Sequence, residues 1–106
     1  MQEVANGFEV FIKLLAYLKN LIIYYDYAEE NDESITCWTE VPHLIENAPT
    51  VEDGKNYLLK LLRERAYDYM NEFDYWVKGC PEELPYIMKI MLSNDEELKS
   101  CLRGKS

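Results

Sequence analysis

Residues 40–54 read EVPHLIENAPTVEDG and stand between a strand-like run and the longest helical pattern of the chain. Pro42 has no backbone N–H group, so it predicts the end of a ladder of strand hydrogen bonds. Pro49 favours an extended residue before it, and Thr50 follows as a helix N-cap with Asp53 at the third helical position, as in a capping box. The stretch therefore predicts that a small sheet ends here and that a long helix starts directly after Thr50.

Two runs before this junction are typical of strands. Leu21–Ala28 (LIIYYDYA) and Ser34–Val41 (SITCWTEV) are rich in β-branched and aromatic residues, and the second run alternates apolar with mixed positions. The short acidic segment EENDE joins them, so an antiparallel hairpin is the simplest pairing. Leu44–Ala48 could add a third short strand. We therefore expect a small antiparallel sheet of two to three strands.

Helical periodicity predicts one element before the sheet. Residues 8–20 (FEVFIKLLAYLKN) carry apolar side chains at helical spacing, and Asn6 is a candidate N-cap. The apolar stripe consists of Phe8, Phe11, Ile12, Leu15 and Leu18. We expect this N-terminal helix to pack on the sheet together with the long central helix.

The central helix is predicted to extend from Val51 to about Trp76. Gly54 in its first turn weakens the helix relative to alanine, which suggests a close approach to the sheet. Two short helices should follow, Leu84–Leu92 and a last one opened by the S-x-x-E box of Ser93 and Glu96. The chain is thus predicted to be α+β and to form a single domain over residues 1–106.

Composition limits the possible partners. The chain of 106 residues has 11 basic and 20 acidic side chains, for a net charge of −9. A surface this acidic repels phosphate groups, so nucleic acid and anionic membranes are poor partners and a basic protein is a better one. We expect no signal peptide, since residues 1–7 lack a positive region, and we expect a cytoplasmic location.

Metal and cofactor chemistry finds little support in the sequence. Cys37, Cys80 and Cys101 are widely spaced without a CxxC motif, and the chain has one histidine. That set does not resemble a zinc site, and reduced buried thiols are the expected state. Glycine-rich phosphate loops and nucleophile motifs are also missing from the sequence, so we predict no cofactor, no metal and no enzymatic activity.

Three features remain as candidates for a binding role. His43 has no Ser, Cys or second His at motif spacing, so a structural or contact role is favoured over a catalytic one. Trp38 and the hairpin tyrosines could stack on RNA bases, but that mode needs a basic surround. The acidic residues between the predicted strands could form a solvated loop or attract a basic partner; they are Glu29, Glu30, Asp32 and Glu33.

The middle of the chain resembles the HicB-like antitoxin module. The resemblance covers residues 20–76, followed by a helical C-terminal extension over residues 80–106. The matching parts are Ile22–Asp26, Trp38, Val41-Pro42, Ala48–Asp53 and the helix Tyr57–Phe73. It implies a small antiparallel sheet backed by a helix, in a protein that masks a small basic RNA-cleaving toxin.

The resemblance also bears on DNA binding. Many members carry a DNA-binding tail, but here the tail basic residues are diluted by at least five carboxylates. That is too few for an operator-reading surface. The basic residues are Lys78, Lys89, Lys99, Arg103 and Lys105.

Taken together, these features predict an acidic, antitoxin-like homodimer that binds a small basic toxin. The predicted partner-binding residues are Asp26, Glu29, Glu30, Asp32, Glu33, Trp38 and His43. Two alternatives remain: an immunity or adaptor protein of another system, and, from a different class, a small hydrolase that uses carboxylates and His43.

Overall fold

The fold is one small sheet with helices before and after it. The computed structural model describes residues 2–105, with side chains from Gly7 onward. The elements in chain order are α1 (Gln2–Asn20), β1 (Ile23–Glu29), β2 (Ile35–Thr39), β3 (Leu44–Ala48), α2 (Val51–Asn71), α3 (Phe73–Gly79), a 3₁₀ turn (Pro81–Glu83), α4 (Leu84–Leu92), α5 (Asp95–Cys101) and β4 (Leu102–Gly104). The predicted α+β class is confirmed.

The sheet has four strands in the described residues, in the order β3-β2-β1-β4. Strands β1, β2 and β3 form the predicted antiparallel meander, with Asp26 opposite Trp38 and Trp38 opposite Ile45. Strand β4 joins the other side of β1 in parallel, with Leu102 opposite Ile23. The prediction of two to three strands is therefore one short, because β4 is only three residues long and pairs with a distant segment.

Helix α2 covers one face of the sheet. Its N-cap is confirmed, since the Thr50 Oγ1 accepts a hydrogen bond of 3.1 Å from the Asp53 amide. Gly54 is buried against β2, and a Cβ atom at position 54 would lie 2.7 Å from the Cys37 Sγ. The close approach predicted from this glycine is therefore present.

The central helix is shorter than predicted. It ends at Asn71 rather than near Trp76, because Glu72 leaves helical geometry with φ −123° and ψ 51°, and α3 starts at the next residue. After this break, the Trp76 ring stacks on Tyr69 at a centroid distance of 6.1 Å. The Tyr69 hydroxyl donates a hydrogen bond to the Cys80 carbonyl at 2.9 Å, and this bond holds the segment that follows α3 against α2.

Two buried apolar clusters meet under the sheet. The smaller one joins the sheet to α2 and consists of Ile35, Cys37, Ala48 and Leu58. The larger one joins α2, α4, α5 and the strand pair β1–β4, and consists of Ile23, Leu62, Ala66, Tyr69, Ile87, Ile90, Leu98, Cys101 and Leu102. Both clusters lie on the helix-covered side, so the sheet is buried on that side.

The N-terminal helix does not cover the sheet as predicted. Every residue from Gly7 to Tyr17 is exposed, and Leu18 is the point at which α1 enters the core. The buried Lys89 ammonium of α4 donates to the Lys19 carbonyl at 2.8 Å, which ties the C-terminal end of α1 to α4. Asn6 is not the predicted N-cap, because α1 already begins at Gln2.

The last helix is capped one residue later than predicted. Asn94, and not Ser93, caps α5: its Oδ1 accepts from the Glu97 amide at 2.8 Å, and Glu97 Oε1 accepts from the Asn94 amide at 3.0 Å. Ser93 instead donates to the Lys89 carbonyl at 2.7 Å and closes the end of α4. Among residues 2–105, no helix combines the length and apolar character needed to cross a membrane.

Candidate functional site

The sheet carries helices on one face, and its other face contributes nothing to the core. Ile35, Cys37 and Thr39 of β2 point toward α2 and are buried, so the residues that alternate with them point away. We call the second set and its cross-strand neighbours the open face: Tyr24, Asp26, Ala28, Thr36, Trp38, Ile45 and Asn47. These residues lie outside both buried clusters.

The centre of the open face mixes a carboxylate with apolar side chains. Asp26, Trp38 and Ile45 lie directly opposite one another on three neighbouring strands. Cross-strand neighbours of this kind have Cβ atoms about 4.5–5.5 Å apart, so the three side chains form one continuous row. Ile45 is 60% exposed and the nearby Tyr24 is 44% exposed. A row of this composition suits a protein partner that offers both apolar and basic groups.

An exposed acidic loop adjoins one end of the open face. We call residues 29–34 the acidic loop; it contains Glu29, Glu30, Asp32 and Glu33, all exposed. Glu30 accepts a hydrogen bond from the Thr36 hydroxyl at 2.7 Å, which ties the loop to β2. The hydroxyl and amide of Ser34 donate to Asp32 at 2.5 and 3.1 Å. These bonds hold the pKa of Asp32 below its usual value and favour its ionised form.

His43 lies at the opposite end of the sheet from the acidic loop. It is exposed, and its Nδ1 lies 3.1 Å from the Thr39 carbonyl. The Thr39 hydroxyl donates to the Pro42 carbonyl and accepts from the Leu44 amide, so this turn is held by Thr39 rather than by the histidine. The length of β2 separates the two ends by about 15 Å. The structure therefore does not place His43 beside the carboxylates of the acidic loop.

The seven predicted partner-binding residues fall into two groups. Asp26 and Trp38 are paired at the centre of the open face, and the four carboxylates of the acidic loop continue from it. His43 contacts Thr39, the residue after Trp38, and is remote from the acidic loop. Sequence reasoning missed Ile45 and considered Tyr24 only among the hairpin tyrosines, although the period-two alternation of β1 and β3 could have assigned both to the same side as Trp38.

One cluster of possible metal ligands exists in the described residues, away from the open face. The ligand atoms of Cys80, Glu82 and Glu83 lie within 4.8 Å of one another. Glu83 is already held by Arg65, whose Nη1 donates to both carboxylate oxygens at 3.0 and 3.1 Å. Burial and the neighbouring Glu83 raise the pKa of Cys80, so its thiol is protonated at neutral pH. This chemistry favours an internal ion pair over metal binding.

Most basic residues of the C-terminal tail already have partners. Lys89 is buried under α1, Lys99 forms an ion pair of 2.8 Å with Glu52, and Lys105 pairs with Glu40. The bond to Lys99 also lowers the pKa of Glu52. The tail therefore offers a partner few unengaged positive charges.

Comparisons with known proteins give one family and one related fold. A family model described as PHD-like, antitoxin of toxin-antitoxin, RelE/RelB, TA system, matches residues 8–103. A crystal structure from Syntrophomonas wolfei subsp. wolfei, described as an antitoxin part of a proposed toxin/antitoxin system, has a TM-score of 0.77 and 21% sequence identity, covering 99% of this chain and 95% of that chain. At that identity the likeness shows the shared fold alone. The search of curated proteins finds no match.

Proposed function

The chain belongs to the PHD-like family of antitoxins of RelE/RelB toxin–antitoxin systems, and we propose that it binds and masks a small basic toxin with the open face of its sheet. The antitoxin class predicted from the sequence is thereby confirmed. Its placement in the HicB-like branch stays a prediction, as does the RNA-cleaving activity of the toxin.

The observation that carries this proposal is the open face itself. A four-stranded sheet with a helix on one side leaves the half-buried Trp38 and the exposed Ile45 in a row with Asp26, and a tryptophan in such a setting is a frequent anchor of protein interfaces. The acidic loop lies at one end of the open face and carries four carboxylates. Apolar anchors would supply affinity, and the carboxylates would steer a basic partner toward them.

The charge of the chain supports a basic partner over a nucleic acid. With a net charge of −9, the protein as a whole repels phosphate groups. Most lysines of the C-terminal tail are already bound to carboxylates or carbonyl groups of the chain, so the tail adds no basic patch. We therefore propose that the toxin is the direct partner of this chain, that the chain does not itself contact DNA or membrane, and that it acts in the cytoplasm as a homodimer.

Of the two alternatives, the immunity or adaptor role would use the same apolar and electrostatic contacts and differs only in the partner. The family match favours a toxin as that partner. The hydrolase alternative requires a cleft that brings His43 together with perturbed carboxylates, but His43 is exposed and its Nδ1 lies against the Thr39 carbonyl at 3.1 Å.

The test uses the product of a neighbouring reading frame that encodes a small basic protein. We expect wild-type chain to bind this protein in isothermal titration calorimetry. Trp38→Ala should weaken binding at least about 30-fold, the loss typical of an interface anchor. Tyr67→Ala is the matched control, since this aromatic ring is 70% exposed on α2, away from the open face.

Two results would overturn the proposal. The first is the absence of binding by the folded wild-type chain to that protein and to any basic protein recovered with it from its host. The second is equal affinity of the wild-type and Trp38→Ala chains while both retain the same melting temperature.

A further inference from the structure

Helix α1 carries an apolar surface that the rest of the chain does not cover. Phe8 is 64%, Phe11 55% and Leu15 42% exposed, whereas Leu18 is buried against the body. The molecule measures 63 × 27 × 20 Å, and its radius of gyration is 16.1 Å. A compact chain of this length has a radius of gyration of about 13 Å. The molecule is therefore more elongated than a compact chain of the same length, and α1 is its exposed apolar helix.

The spacing of these residues is that of a helix that pairs with another helix. Val4, Phe8, Phe11, Leu15 and Leu18 alternate steps of three and four, which places them at the a and d positions of successive heptads. The flanking e and g positions between Val4 and Leu18 also carry apolar or small residues, among them Ile12 and Leu14. Glu3, Glu9 and Lys13 fall on the outer positions. We call the exposed residues Phe8, Phe11 and Leu15 the seam.

Charge indicates what covers this seam. Within α1 two glutamates balance two lysines, so the whole net charge of −9 resides in the rest of the chain. A basic toxin is attracted to the acidic remainder and gains nothing electrostatic from α1. A second copy of this chain is repelled by that remainder and can approach through the neutral helix.

We propose that two copies of the chain associate by pairing their α1 helices along the seam. This inference rests on the proposed homodimer and assigns a surface to it. The arrangement is antiparallel, because parallel helices would bring two acidic bodies side by side. An antiparallel pair separates them by the length of the helix, about 28 Å, which exceeds the screening length of about 10 Å at 0.1 M salt.

The available area sets the strength of this dimer. The seam with its flanks Ile12 and Leu14 exposes about 370–500 Å² of apolar surface per copy, from the exposed fractions of the five side chains and about 150–200 Å² for each complete side chain. Two copies would bury at most about 750–1,000 Å² together, and the upper end of this range reaches the lower limit for a specific interface. The dimer is therefore expected to dissociate at micromolar concentrations.

The experiment measures mass and shape of the full-length protein. Light scattering after size exclusion should give a dimer at about 100 μM that dissociates on dilution to the micromolar range. Phe11→Glu and Leu15→Glu should each give a monomer at all these concentrations. Val10→Glu is the matched control: Val10 is 63% exposed on the same helix but occupies an outer position, so this variant should remain dimeric.

Small-angle scattering tests the direction of pairing. An antiparallel dimer should reach a maximum dimension of roughly 100 Å, since two bodies then flank one shared helix length. A parallel pair would stay near the 63 Å of one copy. A wild-type chain that is monomeric at 100 μM, or a Phe11→Glu chain that stays dimeric, overturns the proposal.

Toxin binding separates this inference from the proposed function. Monomeric Phe11→Glu chain should still bind the toxin through the open face, with circular dichroism confirming its fold. If the wild-type chain is monomeric and Phe11→Glu abolishes toxin binding, α1 is a toxin-binding helix and the self-association proposal is wrong. If the dimer forms as described and no toxin binds, only the proposed function fails.

Discussion

The contact between α2 and β2 makes a quantitative prediction for Gly54→Ala. The added methyl group would lie 2.7 Å from the Cys37 Sγ and 3.4 Å from the Ile35 Cδ1. Cys37 is 1% exposed, and its thiol donates to the Glu46 carbonyl at 3.4 Å. The sulfur therefore has little room to move without disturbing the strand pair.

Two opposing effects decide the size of the change. Alanine is more favourable than glycine within a helix by about 1 kcal/mol. Forcing an extra methyl group into a packed core costs about 1–3 kcal/mol. The 2.7 Å separation lies well inside the usual contact range of about 3.5–4.0 Å, so we expect the clash to win by about 1 kcal/mol. For a domain of this size, that loss lowers the melting temperature by roughly 4–8 °C.

Thermal and urea denaturation followed by circular dichroism provide the assay. Gly7→Ala is the control, because a Cβ there has no neighbour within 4 Å and should not destabilise the chain. In a chain that already carries Cys37→Ala, the substitution Gly54→Ala should be neutral or stabilising. The reasoning is wrong if Gly54→Ala raises stability in the wild-type background, or if the two changes add within about 0.5 kcal/mol.

Three further predictions concern charges and thiols. Arg65→Met should lower the free energy of unfolding by about 3 kcal/mol in urea denaturation, because it leaves the buried Glu83 carboxylate unpaired; a loss below about 1 kcal/mol contradicts this. Burial raises the pKa values of the Cys37, Cys80 and Cys101 thiols, so the native chain should react slowly with Ellman's reagent at pH 8 and completely after unfolding. Rapid labelling of the buried Cys37 and Cys101 in the native chain would contradict this prediction. Association with the toxin, measured by stopped flow, should slow at least about 10-fold between low and high salt, whereas a rate independent of salt would exclude steering by the acidic loop.

The antiparallel meander and the start of α2 were predictable because their signals are local. Alternation and β-branched residues indicate the strands, and Pro42 with Pro49 and Thr50 marks the boundaries. Gly54 also indicated close packing locally, because glycine weakens the first turn of a helix and is expected there where a side chain would clash with a neighbouring element. These features depend on residues within one turn or one strand of each other.

The remaining elements depend on distant contacts or on equal local choices. Strand β4 is three residues long and pairs with β1 almost eighty residues earlier in the chain, so no local period reveals it. The break at Glu72 involves neither glycine nor proline, and Ser93 and Asn94 are both good caps in neighbouring positions. The pairing of β4, the break at Glu72 and the choice between the two caps are therefore set by tertiary packing, because the local sequence favours the alternatives almost equally.

The residue types of the predicted partner-binding set follow from the sequence, their arrangement follows less well, and their role in binding stays a prediction. Asp26, Trp38 and the acidic loop were chosen for charge and aromatic character, and they lie together. His43 was included because it is the one histidine in a short junction, but the length of β2 separates it from the loop. The packing of α1 was also predicted incorrectly, since an apolar stripe indicates that a helix is covered without indicating by what.

The most direct test of toxin masking is a titration of toxin activity. Purified toxin from the neighbouring reading frame would be assayed for cleavage of RNA while the chain is added in increasing amounts. We expect cleavage to fall to zero at a fixed molar ratio for the wild-type chain and to persist at the same ratio for Trp38→Ala. Undiminished cleavage in a large excess of folded wild-type chain would show that this chain does not mask the toxin.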